Sequence, residues 1–367
     1  VAAESIHRTE GRSRIERLRL RLSRLGADAL FVSHLPNIQY LCGFSGSAGL
    51  LLIEPSRSTL VTDSRYTFQA RKEVSGARIR IARHGLDRAV AEVLRARRGR
   101  TTAAYSPSHV TVAQKDALQI AAGSRVRWVK DRDAVEGLRA VKDADELARM
   151  REAAILASDV FDRILPSIKP GVAELNLAAE IELVMSQLGA PRCSFETIVA
   201  SGDRSAWAHA RPTSKLLRKS ELVVIDYGAI LRSYCSDMTR TVFLGRAPKN
   251  VRRLYRAVLE AQAAAKAAIR PGVTAGEVDR AARAVLRGYG LARYFTHSTG
   301  HGLGLEVHEA PRMSRGDRTV LEQGMVLTVE PGVYLEGLGG IRIEDDVVVT
   351  SNGSEDLTTA PRDFLEL

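Results

Sequence analysis

Ile168-Lys169-Pro170-Gly171-Val172 recurs as Ile269-Arg270-Pro271-Gly272-Val273, 101 residues further along the chain. A Pro-Gly pair ahead of a helix is common as a lone loop. Here each copy leads into apolar residues at helical spacing, Leu175 to Leu188 and Val278 to Leu286. Each run stops at a glycine, Gly189 and Gly290, where a left-handed residue closes a helix. Agreement in loop, helix and closing glycine reads as an internal duplication. Two related halves are expected to face each other across a pseudo-twofold, with a cleft between them.

Outward from the repeat, Asp143 to Ile164 reads as a long amphipathic helix that opens this part of the chain. Upstream, helical and strand patterns alternate. Ile15 to Leu25 and Leu86 to Arg97 repeat at helical spacing; Ala29-Leu30-Phe31-Val32 and Thr102-Ala103-Ala104-Tyr105 are short buried strands. Leu50-Leu51-Leu52-Ile53 and Ser58-Thr59-Leu60-Val61-Thr62 flank Pro55 and read as a hairpin. The first part is an α/β domain. At 367 residues two domains are expected, residues 1–135 and 136–367.

A chain 45% hydrophobic and 26% charged is an ordinary globular one, which excludes collagen-like, low-complexity and disordered classes. No run of about 18 uncharged apolar residues predicts a membrane span, and the charged start, Val1 to Arg24, lacks the apolar region of a secretory signal. Three cysteines, Cys42, Cys193 and Cys235, without paired spacing suit a reducing compartment, so a cytoplasmic location is expected. The net charge of +11 is unevenly spread: residues 1–140 hold 25 basic against 13 acidic side chains, the remainder 29 against 30. Arg12, Arg14, Arg17, Arg19, Arg21 and Arg24 share a helix whose other face is Ile15, Leu18, Leu22 and Leu25. That excess is a footprint for nucleic acid or the solvated surface of an arginine-rich chain. No RNA-binding aromatic motif or zinc-finger spacing accompanies it, so a solvated surface is expected and nucleic acid is not a partner.

Five potential ligands stand out in the second half. Leu222-Val223-Val224-Ile225 is a buried strand ending in Asp226, and a second strand follows beyond Gly228, with Asp237 in Cys235-Ser236-Asp237-Met238-Thr239-Arg240, a spacing that suits a bent antiparallel pair. His301 lies in Thr299-Gly300-His301-Gly302-Leu303-Gly304, Glu330 closes Met325-Val326-Leu327-Thr328-Val329, and Glu344 follows Ile341-Arg342-Ile343. Strand alternation puts Arg342 and Glu344 on one face and the isoleucines on the other. A carboxylate at the end of an apolar strand is costly unless paired or metal-bound. Four carboxylates and one imidazole are neutralised by two divalent ions. The oxygen-rich donor set favours Mn²⁺, with Zn²⁺, Co²⁺ or Fe²⁺ as alternatives. Five unrelated residues, each satisfied by a salt bridge, is the rival reading.

The stretch Thr296-His297-Ser298-Thr299-Gly300-His301-Gly302-Leu303-Gly304-Leu305-Glu306-Val307-His308-Glu309 resembles the signature of proline-specific metallopeptidases of the methionine aminopeptidase/creatinase clan. Val329-Glu330-Pro331-Gly332-Val333-Tyr334, Gly340-Ile341-Arg342-Ile343-Glu344-Asp345, Asp226-Tyr227-Gly228 and Asp237-Met238-Thr239-Arg240-Thr241 are similar to its other motifs. Ser194 to Gly202 is similar to the strand before its first histidine. Asn37 to Gly49 and Thr62-Asp63-Ser64-Arg65-Tyr66 resemble its N-terminal domain. The resemblance spans nearly the whole chain. It implies an α/β creatinase-like N-terminal domain and an α+β "pita-bread" catalytic domain whose internal pseudo-twofold repeat surrounds two metal ions.

By that resemblance Asp226, Asp237, His301, Glu330 and Glu344 are the metal ligands, Asp237 bridging. Glu330 accepts the proton of the attacking water, His308 stabilises the oxyanion, and His209 sits near the scissile bond. His297, Arg342 and Tyr334 hold the proline. The family often has proline before the first cleft histidine; here Ala208 precedes His209. The implied activity is removal of an N-terminal residue from peptides with proline in second place (Xaa-Pro aminopeptidase), by a homodimer. Prolidase, which cleaves only Xaa-Pro dipeptides, shares the metal set and differs by a cation that captures the dipeptide's carboxylate. A non-catalytic pita-bread binding module is the alternative of another class, disfavoured because all five ligands are present.

Overall fold

The computed structural model describes residues 2–367, with side chains from Arg14 onward. The side chains of His7 and Arg12 lie outside the described residues. Contacts divide the chain into residues 1–139 and 140–367.

The first unit runs α1 (Ala2–Leu25), β1 (Ala29–Val32), α2 (Leu35–Cys42), β2 (Gly49–Ile53), β3 (Ser58–Thr62), α3 (Thr67–Glu73), β4 (Arg78–Ile81), α4 (Leu86–Arg95), β5 (Thr101–Tyr105), α5 (Val112–Ala122), β6 (Val126–Lys130) and α6 (Glu136–Ala140). Its sheet has the order β4-β3-β2-β1-β5-β6. The expected hairpin is β2–β3, antiparallel from Gly49 opposite Thr62 to Ile53 opposite Ser58. Val90, Leu94 and Leu118 of α4 and α5 pack on Phe31, Leu52 and Val61 of the sheet, each such burial stabilising by about 1.5–3 kcal/mol. The chain divides after Arg139, not before Glu136, because Glu136 is tied back into this unit: its Oε1 accepts from Asn37 at 2.6 Å and lies 2.7 Å from His109 Nε2.

The arginine face of α1 needs one correction. Ile15, Leu18 and Leu22 are buried as expected, but so is Arg14, 2% exposed, while Leu25 is 47% exposed. Arg14 donates to Tyr40 O at 3.1 Å, and its guanidinium sits 4.0 Å above the Tyr40 ring. Stacking on an aromatic face and a carbonyl acceptor replace its water.

The second unit runs α7 (Ala144–Ile164), α8 (Glu174–Gln187), β7 (Arg192–Cys193), β8 (Ile198–Ser201), β9 (Leu222–Tyr227), β10 (Ala229–Leu231), β11 (Tyr234–Cys235), β12 (Met238–Phe243), α9 (Lys249–Ala268), α10 (Ala275–Gly288), β13 (Gly300–Gly302), β14 (Glu309–Met313), β15 (Val326–Val329), β16 (Gly332–Leu335), β17 (Gly339–Arg342), β18 (Asp345–Val349) and β19 (Ser354–Asp356). Asp143 caps α7 in a reciprocal box with Glu146, both bonds at 3.0 Å.

The repeat is real at the level of single hydrogen bonds. Gly171 and Gly272 take φ of 91° and 86°, a region that favours glycine. Gly171 N–H donates to Leu217 O and Gly272 N–H to Leu321 O, both at 2.9 Å; Leu217 N–H returns to Val172 O and Leu321 N–H to Val273 O, both at 2.8 Å. Each half has its own core. Phe161, Leu177, Ile181 and Val223 anchor one. Ala257, Ala261 and Ala265, spaced by four along α9, join Val278, Leu286 and Leu327 in the other.

Candidate metal centre and cleft

The duplication places two carboxylates equivalently in each half. Asp226 lies near the end of β9 and Glu330 follows β15; Asp237 immediately precedes β12 and Glu344 immediately precedes β18. The pairings are alike, β9 with β12 and β15 with β18, both antiparallel. A turn packed too closely for a side chain separates β9 from β10: a Cβ on Gly228 would lie 1.8 Å from Ser236 O. His301 comes from β13, beside β15.

These residues converge on a cavity of about 660 Å³, whose lining also includes His209, His297, His308 and Arg342. Tyr334 does not line it but stands behind His297 and Arg342. Ligand atoms of Asp237, His301 and Glu344 lie within 4.8 Å of one another. Glu330 Oε1 and Asp237 Oδ2 each lie 3.6 Å from His301 Nε2. His301 Nδ1–H donates to Gly302 O at 3.0 Å, which leaves the Nε2 lone pair facing the carboxylates. Asp226 instead directs Oδ2 at Arg342.

The electrostatics are those of a site short of positive charge. Burial pushes the Asp237 and Glu344 carboxyls well up; repulsion from Glu344 and Asp226 adds to the rise at Asp237, and repulsion from Glu330 and Asp226 to that at Glu344. Burial raises Glu330 from 4.5 to about 7, although Arg342 opposes the rise. Burial lowers His301 to about 4 and His297 to about 3, so both rings are neutral near pH 7. Asp226 Oδ1 and Asp237 Oδ1 are buried without a hydrogen-bond partner among the described residues. Buried carboxylate oxygens with no donor are what divalent cations satisfy, so the donor set fits two such ions.

Around the carboxylates runs a fixed polar frame. Arg342 donates from Nε to Thr239 Oγ1 at 3.0 Å, and from one terminal nitrogen to Ala208 O at 3.1 Å and Tyr334 Oη at 2.8 Å. Tyr334 Oη lies 2.9 Å from His297 Nε2, whose Nδ1–H donates to Ser298 O at 2.8 Å, so tyrosine is the donor to the ring. Thr239 donates to Glu344 Oε2 at 2.6 Å. The His308 ring packs 4.4 Å from that of His301. The alternation expected around Arg342 holds: Arg342 and Glu344 face the cavity, and Ile341 and Ile343 enter the core.

Sequence reasoning missed Thr239, although it stands two residues past Asp237, where strand period places it on the same face. It also missed Arg312 and Arg211, which line the cavity. Arg312 is the register partner of His301 across β13–β14. No local periodicity joins those two positions, because an irregular loop lies between them.

Residues 148–351 match metallopeptidase family M24, and residues 14–141 match the creatinase/prolidase N-terminal domain. The chain is 35% identical to the Xaa-Pro dipeptidase of Pyrococcus horikoshii over 338 residues, 92% of this chain and 94% of that one. Its fold matches a solved Xaa-Pro dipeptidase from Bacillus anthracis at a TM-score of 0.94 and 37% identity, covering 97% of this chain and 100% of that one. It matches an X-Pro aminopeptidase from Thermotoga maritima at 0.87 and 36%, covering 95% and 100%. The first unit is a creatinase-type domain and the second a pita-bread domain, as the resemblance implied. Among the described residues no helix is long and apolar enough to cross a membrane.

Proposed function

The chain belongs to metallopeptidase family M24, and from that premise we propose that it is an Xaa-Pro dipeptidase. Asp226, Asp237, His301, Glu330 and Glu344 hold two divalent ions, Mn²⁺ first among the candidates for so oxygen-rich a set. The observation that carries the dipeptide reading is Arg312, exposed in the cavity wall with no ion-pair partner among the described residues. The carboxylate of an Xaa-Pro dipeptide lies one residue beyond the scissile carbonyl, about 4 Å along the chain. A guanidinium on the strand beside His301 suits that anion. A longer peptide presents a neutral amide there, and the cation gains nothing.

Two bound ions would supply a hydroxide nucleophile and a Lewis acid for the scissile carbonyl. Glu330, in the cavity wall beside His301, is placed to accept a proton from the attacking water and return it. The recipient is the proline nitrogen, which carries no hydrogen in the peptide and needs one to leave. His308, lowered by burial and by the charges of its neighbours, is a neutral donor to the developing oxyanion. The Arg342–Tyr334–His297 chain fixes the wall against which the ring of proline rests, and His209 lies at the cavity edge toward the scissile bond.

The sequence favoured an aminopeptidase, and that stays the second reading, supported by the Thermotoga maritima neighbour. The test is cleavage of Ala-Pro and Ala-Pro-Ala by metal-stripped protein reloaded with Mn²⁺. The dipeptidase reading expects at least a tenfold higher kcat/KM for Ala-Pro. It also expects Arg312→Ala to raise KM for the dipeptide with kcat little changed. Preferential release of Ala from Ala-Pro-Ala would establish the aminopeptidase, and silence on both would end the enzyme reading.

A further inference from the structure

Gln262 lies in the middle of α9, does not line the cavity, and is 1% exposed. Its Nε2 reaches Val329 O at 3.2 Å, Ile343 O at 3.3 Å and Asp345 Oδ2 at 3.0 Å. All three neighbours are acceptors, so the amide nitrogen and not its oxygen faces them. Val329 and Ile343 are the residues immediately before Glu330 and Glu344. One carboxamide therefore holds the carbonyls of both peptide planes from which the two glutamates spring.

The other ends of those planes are also tied. Glu330 N–H donates to Thr299 O at 2.8 Å, and Glu344 N–H to Thr239 O at 3.1 Å. The β15–β18 ladder ends at the pair Val329–Asp345, so both glutamates stand just past its last rung. There the chain leaves the sheet on both strands, and ladder pairing no longer sets its direction. Gln262 is in turn held by Asp345, which is fully buried and also accepts from Arg240 at 2.8 Å and Lys266 at 3.2 Å.

We infer that Gln262 is a positioning residue for the metal centre. It touches no ligand side chain and sets the launch direction of two of them at once. A peptide plane gripped at both carbonyl and N–H cannot rotate without breaking two buried hydrogen bonds, and their loss leaves unpaired groups. The outer partners of metal ligands typically govern affinity by 10–100-fold. The effect is expected on both glutamates together, because a single side chain serves both planes.

The test is Mn²⁺ binding, followed by the loss of the free-ion EPR signal and the appearance of the exchange-coupled two-ion signal. Gln262→Met removes the donor at similar volume; Gln262→Glu keeps the shape and places an acceptor against two carbonyls. Both should weaken Mn²⁺ binding about 10–100-fold and diminish the coupled signal. Lys266→Met is the comparison, since Lys266 reaches the same Asp345 from the same helix but neither carbonyl; it should bind Mn²⁺ within about twofold of wild type. Wild-type affinity in the Gln262 variants overturns the inference, as does an equal loss in Lys266→Met. Should Gln262→Met not fold, Gln262→Glu decides the matter by the same readouts. Because the role of Gln262 rests on the two-ion reading above, a wild-type chain that takes up no Mn²⁺ overturns both, whereas a wild type that binds alongside variants that bind equally well overturns this one alone.

Discussion

Glu330→Gln should make the metal-free protein more stable, by an amount that depends on pH. Burial raises the Glu330 carboxyl from 4.5 to about 7. A carboxyl raised by folding binds its proton more tightly in the folded chain. Its contribution to stability is fully present below 4.5 and is lost as pH rises through about 7. At 1.36 kcal/mol per pH unit the interval is worth about 3 kcal/mol. Glutamine has the shape of the neutral acid and never ionises. In EDTA at pH 8 the variant should therefore exceed wild type by about 3 kcal/mol, and at pH 5 by about 1 kcal/mol or less. For a unit of this size that is roughly 6–12 °C in Tm at pH 8. Thermal and urea denaturation followed by circular dichroism at the two pH values measure it. Mn²⁺ should reverse the order. Wild type gains about 4.1 kcal/mol at a concentration one thousand times Kd, more than its deficit at pH 8, and the variant, lacking a ligand, gains less. A variant no more stable than wild type at pH 8 in EDTA, or an equal difference at pH 5, would refute the argument that this site stores uncompensated charge.

Other outcomes follow from single contacts. Gly228→Ala places a Cβ 1.8 Å from Ser236 O and should cost about 3 kcal/mol or more, whereas Gly288→Ala, with nothing within 4 Å at a helical position, should raise stability by about 0.5–1 kcal/mol; paired thermal melts decide. Arg14→Ala should destabilise by about 2–4 kcal/mol through the lost buried hydrogen bond to Tyr40 O and the lost ring contact, and exposed Arg24→Ala by under about 0.5 kcal/mol, again by denaturation. His297 falls from 6.5 to about 3 through burial. A depressed histidine contributes stability above 6.5 that drains away on acidification toward 3. In EDTA, His297→Gln should thus flatten the acid limb between pH 6 and 4 by about 1.4 kcal/mol per pH unit, which urea titrations across that range would detect.

Much of the second unit was legible because its signals are local. Pro170-Gly171 and Pro271-Gly272 announce their helices within a few residues, and strands as apolar as Leu222 to Ile225 make a terminal Asp226 conspicuous. The same reasoning marks Glu330 and Glu344, whereas Asp237 is read from the strand beyond Gly228 and His301 from its glycine-rich turn; ligand atoms of Asp237, His301 and Glu344 lie within 4.8 Å of one another. What escaped notice depends on partners distant in the chain. Arg14 reads as one more arginine on a wet face until Tyr40, 26 residues away, is folded beneath it. Arg312 faces the cleft because an irregular loop brings β14 back beside His301. Glu136 belongs to the first unit through Asn37, 99 residues earlier. Periodicity describes which face of an element is apolar; it is silent on which neighbour makes a charged side chain affordable.

The matched halves of the second unit also bear on ancestry. A chain of half the length, carrying one Pro-Gly loop and one strand pair with two acidic ends, could associate with its own copy about a twofold axis. Four carboxylates would then meet at the seam with no further invention. Within one chain that symmetry no longer binds the two halves. One half now keeps aspartates at both strand ends and the other glutamates, and an imidazole from the second half alone joins them. A change in one half need not be repeated in the other, so side chains that distinguish the two ends of a substrate can stand in one half alone.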